Sequence, residues 1–337
     1  MIPEPGPCTP PTPRRLTLWL LALVAALFVA SLLVGPAGIP PLHGLGALVT
    51  GQGAEGLVMR EIRLPRAILG LAIGAALGLA GAAMQGFLRN PLAEPGLIGT
   101  SAAAALGAVL AIHTGLYASF ALALPLMALA GAGVSVGVIL LLAGPRGTAL
   151  SLILAGIAVS SLAGALTSLV LNLAPNPYAA SEIVFWMMGS LADRSLLHVA
   201  LALPFLALGA ALVATTGRGL DALTLGEDAA ASLGINLTRL RLKLVLGTAA
   251  LVGASVAVAG AVGFVGLIAP HLMRRAVGAR PSRLLPASAL AGAAILLAAD
   301  IATRVIAPER DLKLGVLTAL VGAPFFLQLV RRMAREA

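Results

Sequence analysis

Charge is scarce in this sequence. Of 337 residues only 10% are Asp, Glu, Lys or Arg and 59% are hydrophobic, with a mean hydropathy of +1.02. A soluble domain of this length cannot cover its core with so few charges. Cysteine is nearly absent: Cys8 stands alone, which excludes an intrachain disulfide. Lysine occurs only at Lys243 and Lys313. There is no G-x-x-x-x-G-K-[ST], so the chain cannot cradle a nucleotide by that route. HExxH and G-x-S-x-G are missing, and no paired carboxylates suggest acid–base work, so an intramembrane enzyme is poorly supported. His43, His113, His198 and His271 are scattered with no Cys/His cluster. No fixed metal site and no cofactor of the chain's own are therefore expected. The net charge of +9 does not point to nucleic acid, because the basic residues lie in short clusters between apolar runs without interleaved aromatics.

What is abundant is apolar sequence rich in Ala and in glycine, of which there are 39. Crossing the hydrocarbon takes about 20 apolar residues per helix, and small residues allow close helix packing there. The expectation is an all-α polytopic membrane protein of about ten spans. Residues 1–15 read as a Pro-rich disordered tail, ending in Arg14-Arg15 before a first span at 16–34. Further spans are expected near 66–86, 97–113, 120–142, 149–173, 195–215, 240–260, 284–306 and 314–330. A shorter crossing, broken by Gly and Pro, falls at 260–275. Residues 35–61 and 174–194 read as external loops, the latter with an amphipathic piece, SEIVFWMMGSL. Residues 85–96 read as a cytoplasmic loop, and Gly144–Gly147 as a tight cytoplasmic turn.

The basic clusters favour an orientation with both termini inside. Arg60, Arg63, Arg66, Arg194, Arg304, Arg310 and Lys313 nevertheless fall outside, more than the rule leads one to expect. GAALGLAGA at 74–82 resembles GASVAVAGA at 253–261, with Pro91 and Pro270 at the same offset. In this topology the two copies run in opposite directions, the pattern of an inverted transporter repeat. Charge inside the spans is nearly absent; Asp300 and Arg304, four apart on one helical face near the outer end of the ninth span, are able to pair. No isolated acid is left at mid-membrane, which counts against a proton-driven carrier.

One polar island interrupts the apolar chain. Leu220–Ile235, LDALTLGEDAAASLGI, holds Asp221, Glu227 and Asp228, is punctuated by Gly226 and Gly234, and has the composition of a short helix. It fits a docking surface for a separate ATPase that drives the membrane part, and it equally fits an ordinary solvated loop. A conduit energised by such a partner, a passive channel or structural subunit, and a sodium-coupled carrier all stand at this point.

Several motifs together resemble one family. RLPR at 63–66, LGLAIGAALGLAGAAMQGFLRNPLAEPGLIG at 69–99, LAGIAVSSL at 154–162, FWMMGSL at 185–191, LGEDAAASLGI at 225–235, VAGAVGFVGLIAPHLMR at 258–274 and GAPFFLQL at 322–329 are similar, in this order, to permease subunits that import iron–siderophores, haem and vitamin B12. The resemblance covers about residue 60 to the C-terminus. It implies a single permease domain, 16–337, forming a homodimer in a bacterial inner membrane with the pathway between the copies. It implies two ABC ATPase subunits, which carry the ATP site, on a coupling segment at 220–235 that includes Asp221, Leu225, Gly226, Glu227, Asp228, Ala230, Leu233 and Gly234. A periplasmic binding protein would dock on Arg63, Arg66 and Arg304, since guanidinium suits carboxylates. Asn90, Leu92, Thr148, Ala149 and Ser160 would belong to the gate and pathway. Two departures stand out: Ala261-Val262 where the family usually has Pro-Ile, and Asp311-Leu312-Lys313-Leu314-Gly315 where it usually has Glu-Leu-Pro-x-Gly. EPGLIG and FWMMGSL lean towards the haem and vitamin B12 members; the expected cargo is an iron chelate, haem ahead of a ferric siderophore, with cobalamin as the alternative.

Overall fold

The computed structural model describes residues 13–120, 122–144, 148–307 and 311–336. The Pro-rich tail up to residue 12, Pro145–Gly147 of the expected turn, and Arg310 lie outside the described residues. Among the described residues there is no strand. The order is α1 (Pro13–Leu33), α2 (Pro41–Thr50), α3 (Gly53–Leu57), a π-helical stretch (Val58–Arg63), α4 (Leu64–Phe87), a 3-10 turn (Pro95–Ile98), α5 (Thr100–His113), α6 (Leu116–Ser119), α7 (Ala123–Ala143), α8 (Ala149–Asn172), α9 (Pro177–Met187), α10 (Leu196–Ala214), α11 (Gly217–Leu223), α12 (Glu227–Ser232), α13 (Leu237–Ala259), α14 (Val265–Arg274), α15 (Pro281–Ile306) and α16 (Leu314–Glu336).

Eight of the described helices are long and apolar enough to cross a membrane. α5 is a shorter apolar helix, and α14, shorter still, lies where the broken crossing was expected. Local chemistry sets several boundaries. Thr148, Asn176 and Asn236 accept N–H bonds from residues three further on at the starts of α8, α9 and α13, the usual way to satisfy orphan donors. Residues 35–61 depart from an irregular loop: Pro41 at the first turn starts α2, and left-handed Gly51 ends it.

α4 and α13 are buried along most of their length, whereas α1, α7, α8, α10 and α16 keep most of their surface open. α4 packs against α15 at backbone distance. A side chain at Gly74 or Gly78 would collide with the backbone of Gly292 or Ser288, and one at Gly81 with the Gly266 carbonyl of α14. Without side chains between them the helices gain dispersion contact that apolar driving force cannot supply in lipid. In the second copy of the repeated motif, Gly253 of α13 lies against the side-chain methyl of Ala132 of α7 and not against backbone.

The two short helices have one cause. At 1.5 Å per residue, α5 rises about 21 Å and α14 about 15 Å, less than a hydrocarbon layer of about 30 Å. The chain after α4 turns back into the bundle instead of staying outside it. Pro95 packs on Gly266, and Gly99 lies against Gly156, seven residues or about 10 Å into α8. α5 therefore starts partway through the bundle. This corrects the expected loop at 85–96: its second half is re-entrant. It also corrects the absence of an isolated acid, because half-buried Glu94 accepts the Phe264 N–H at 2.9 Å. Phe264 is left-handed at the start of α14, where a carboxylate offsets orphan donors and the helix dipole.

The glycine contact has a measurable consequence. Gly78→Val should lower the thermal midpoint in detergent, by the equivalent of about 1–3 kcal/mol of overpacking. Gly133→Val on α7, where an added methyl group meets open space, should cost far less. Equal midpoints for the two variants would remove the α4–α15 contact as a determinant of the fold.

Candidate functional site

The polar island folds as two short helices, α11 and α12, at the end of the bundle where α4 finishes and α15 begins. Gly86 and Pro281 both approach Leu220 there. Gly226, with φ +107, breaks the helical path between α11 and α12, and Gly234, with φ +81, ends the second. Non-glycine residues rarely adopt such angles. Asp221 does not face outward. Its carboxylate accepts the Ser282 N–H and hydroxyl at 2.8 and 2.7 Å and the Arg280 Nε at 2.8 Å. It thereby pins α11 to the first turn of α15. Glu227 accepts Arg241 Nη2 at 2.8 Å, tying α12 to α13, and Ala230 is fully buried. What the segment presents outward is Leu225 at 69% and Leu233 at 64% exposure, with exposed Asp228 and Gly234. The geometry is two apolar knobs flanking the short helix α12, in a segment anchored through Asp221 on α11 and Glu227 at the start of α12. Sequence reading found the segment but not its anchors, since Arg280 and Ser282 lie 59 and 61 residues from Asp221.

At the opposite end, the structure gathers Arg63, Arg66 and Arg304. Arg66 Nε lies 2.9 Å and Arg304 Nη2 2.8 Å from fully buried Asp300, so the expected 300–304 pair forms and takes in a third partner. Arg304 Nη1 also donates to the Ser31 and Val34 carbonyls, and Arg63 Nη1 to those of Leu32 and Leu33. The carbonyls that end α1 are thus capped by guanidinium groups. Arg63 is buried, and the side chains of Arg66 and Arg304 are 17% and 6% exposed. The same chemistry recurs at this end. Arg60 donates to the Leu48 and Val49 carbonyls of α2, and Arg194 to the Val258 carbonyl of α13. These arginines, in excess of the topology rule, neutralise the partial negative charge of helices that finish there.

The gate candidates serve their own segments in this chain. Asn90 Oδ1 accepts the Leu92 N–H at 2.9 Å, closing the turn after α4. Thr148 caps α8 through the Ser151 N–H, followed by half-buried Ala149, and Ser160 is half-buried farther along α8. The departures are also placed. The Ala261 carbonyl lies against Gly189 and Gly315, at the junction of the 188–190 turn and the start of α16. Lys313 pairs with Asp311 and sits 5.6 Å from the centre of the Phe185 ring, joining α9 to α16. Among the described residues no group of three or more His, Cys, Asp and Glu side chains gathers for a metal ion.

Burial alone would raise the Asp221 carboxyl, but the bonds from Ser282 and Arg280 outweigh it and hold it below the usual carboxylate range. A folded pKa below the unfolded one contributes stability that is complete above about pH 4 and is lost as pH falls through the folded value. Asp221→Asn should therefore lower the thermal midpoint at neutral pH, and the gap to the parent protein should narrow as pH falls towards about 3. A gap that stayed constant over that range would show that the carboxylate charge plays no part in the anchor.

Comparison with known proteins agrees with this arrangement. The Fe(3+) dicitrate transport system permease protein FecD of Escherichia coli is 39% identical over 277 residues, covering 82% of this chain and 86% of that protein. The ferric enterobactin transport system permease protein FepD of the same organism is 39% identical over 320 residues, covering 94% and 95%. The cobalamin import system permease protein BtuC of Halobacterium salinarum is 40% identical over 281 residues, covering 82% and 73%. A transporter described as of the metal-chelate ABC type, solved in an inward-facing conformation, superposes with a TM-score of 0.84 at 32% identity, over 95% of this chain and 99% of that one. Residues 22–332 match the FecCD transport family, and the chain belongs to it.

Proposed function

We propose that this chain is the membrane permease of an ATP-driven importer that carries a metal chelate or corrinoid into the cytoplasm of a bacterium. The observation that carries the reading is the α11–α12 segment. Leu225 and Leu233 flank α12, in a segment whose α11 is tied to α15 by Asp221 and whose α12 is tied to α13 by Glu227. An ATPase subunit gripping those knobs would move two spans, not a loop. A compliant loop would absorb the motion; an anchored helix transmits it. The basic residues concentrate at this end, which we assign to the cytoplasm together with both termini, in the inner membrane.

We assign a second copy of the chain to the exposed apolar surfaces of α8 and α16. Leu150, Leu154, Ile157, Leu162 and Leu166 of α8 are exposed, as are Leu320, Val321 and Leu327 of α16. The pathway would then lie between the copies, with Asn90, Leu92, Thr148, Ala149 and Ser160 at its inner constriction. A periplasmic binding protein would deliver cargo to the opposite end. There, carboxylates of the binding protein would compete with Asp300 for Arg66 and Arg304, and Arg63 would hold α1 in place behind them.

Haem is the first cargo to assay, but the motifs that suggested it are engaged in packing. Glu94 caps α14, Pro95 rests on Gly266, and the Trp186 carbonyl lies against Gly260. The relatives named above are described for ferric citrate, ferric enterobactin and cobalamin at nearly equal identity. Uptake therefore has to be measured for haem, a ferric siderophore and cobalamin in parallel, in vesicles containing the chain and its ATPase. ATP-dependent uptake of at least one is expected, and uptake of none would sink the cargo class. In the same preparation Leu225→Asp with Leu233→Asp should abolish co-purification of the ATPase while the permease stays folded; retained co-purification would remove the coupling role. For docking, Arg66→Glu should weaken the binding protein by about tenfold or more, the equivalent of removing one charged hydrogen bond. Unchanged affinity there would leave this cluster as a cap of α1 alone.

A further inference from the structure

A cavity of about 330 Å³ opens between α14 and α16, at the end of the bundle that carries α11 and α12. α14 and the residue that follows it contribute His271, Arg274 and Arg275 to its wall, and α16 contributes Phe325 and Gln328. Among the described residues two guanidinium groups line it and no carboxylate does. Elsewhere at this end, Arg241 and Arg280 have their acids in Glu227 and Asp221. Among the described residues Arg274 and Arg275 form no ion pair.

Arg274 is held in position without being neutralised. Its Nη2 donates to Gln85 Oε1 at 2.8 Å, an uncharged acceptor whose own amide points at the Leu267 carbonyl. Its Nε is buried and has no partner. An unpaired donor on a buried cation is costly, and the carbonyls at the C-terminus of α14 offset only a fraction of a charge. The wall opposite is rigid: the His271 ring meets Phe325 edge-on, with centroids 5.3 Å apart. The site thus offers a planar, prepositioned guanidinium, a second one that is exposed, a side-chain amide and an apolar flank.

We propose that this cavity binds a phosphate-bearing anion, with its oxygens taken by the Arg275 guanidinium and the Gln328 amide beside the charge of Arg274. Guanidinium forks match phosphate oxygens in geometry and charge. Basic pockets between membrane helices suit the headgroup of an anionic phospholipid, and free phosphate offers the same oxygens. The ligand neutralises the two arginines and bridges α14 to α16, fixing the last helix against the re-entrant half of the bundle.

Native mass spectrometry of the full chain, released from nanodiscs of mixed phosphatidylglycerol and phosphatidylcholine, reads the lipid source. Melting in pure phosphatidylcholine nanodiscs with added inorganic phosphate reads the other. Preferential retention of phosphatidylglycerol, weakened about fivefold in Arg275→Gln, supports the site with a lipid as ligand. Stabilisation by phosphate without lipid preference, lost in the same variant, supports the site with free phosphate. Gln328→Leu, which keeps both arginines, should reduce whichever signal is seen, and circular dichroism verifies that each variant is folded. Neither lipid preference nor phosphate effect in the parent protein overturns the proposal. So does a signal that both variants leave unchanged.

Discussion

The structure depends on backbone-to-backbone contact between α4 and its neighbours. Gly74 and Gly78 meet Gly292 and Ser288 of α15, and Gly81 meets Gly266 of α14. In lipid no hydrophobic force distinguishes a helix surface from an acyl chain, so association rests on close packing and hydrogen bonds. Removing the side chains at one face of α4 lets two other helices approach it at once. That approach fixes the height of α14, and through Pro95 and Glu94 it fixes the re-entrant segment and the start of α5. The short helices are consequences of this packing, because part of each crossing is taken up by the turn that re-enters.

Charge inside the bundle follows a second constraint. A guanidinium group taken out of water needs compensation, and so does the last turn of a helix. The end of the bundle opposite α11 and α12 satisfies both needs together. Arg60, Arg63, Arg194 and Arg304 donate to the closing carbonyls of α2, α1 and α13, and Asp300 compensates Arg66 and Arg304. Helix-ending carbonyls and Asp300 between them engage Arg63, Arg66 and Arg304, so the cluster is held from within the chain.

The polar island joins these two ends of the argument. Asp221 and Glu227 turn inward to Arg280, Ser282 and Arg241, while Leu225, Leu233 and Asp228 face out. Exposed leucines held on an anchored segment form a fixed apolar surface outside the spans.

The sequence by itself determined the fold class, the segment that carries α11 and α12, and the pairing of residues 300 and 304. Each rests on a local property: the length of apolar runs, glycine punctuation, or a spacing of four on one helix. Residue motifs in a shared order also sufficed for the family. Only the tertiary structure decided that the second half of 85–96 re-enters the bundle, that Glu94 caps α14, that Asp221 and Glu227 are anchors, and that Arg274 lies unpaired beside a cavity. The partners of these groups are distant in sequence: 170 residues from Glu94 to Phe264, 189 from Gln85 to Arg274, and 234 from Arg66 to Asp300. A loop entering a bundle and a loop leaving it have the same composition. Which one forms depends on whether a buried donor waits inside, and that donor is created only when the helices have packed.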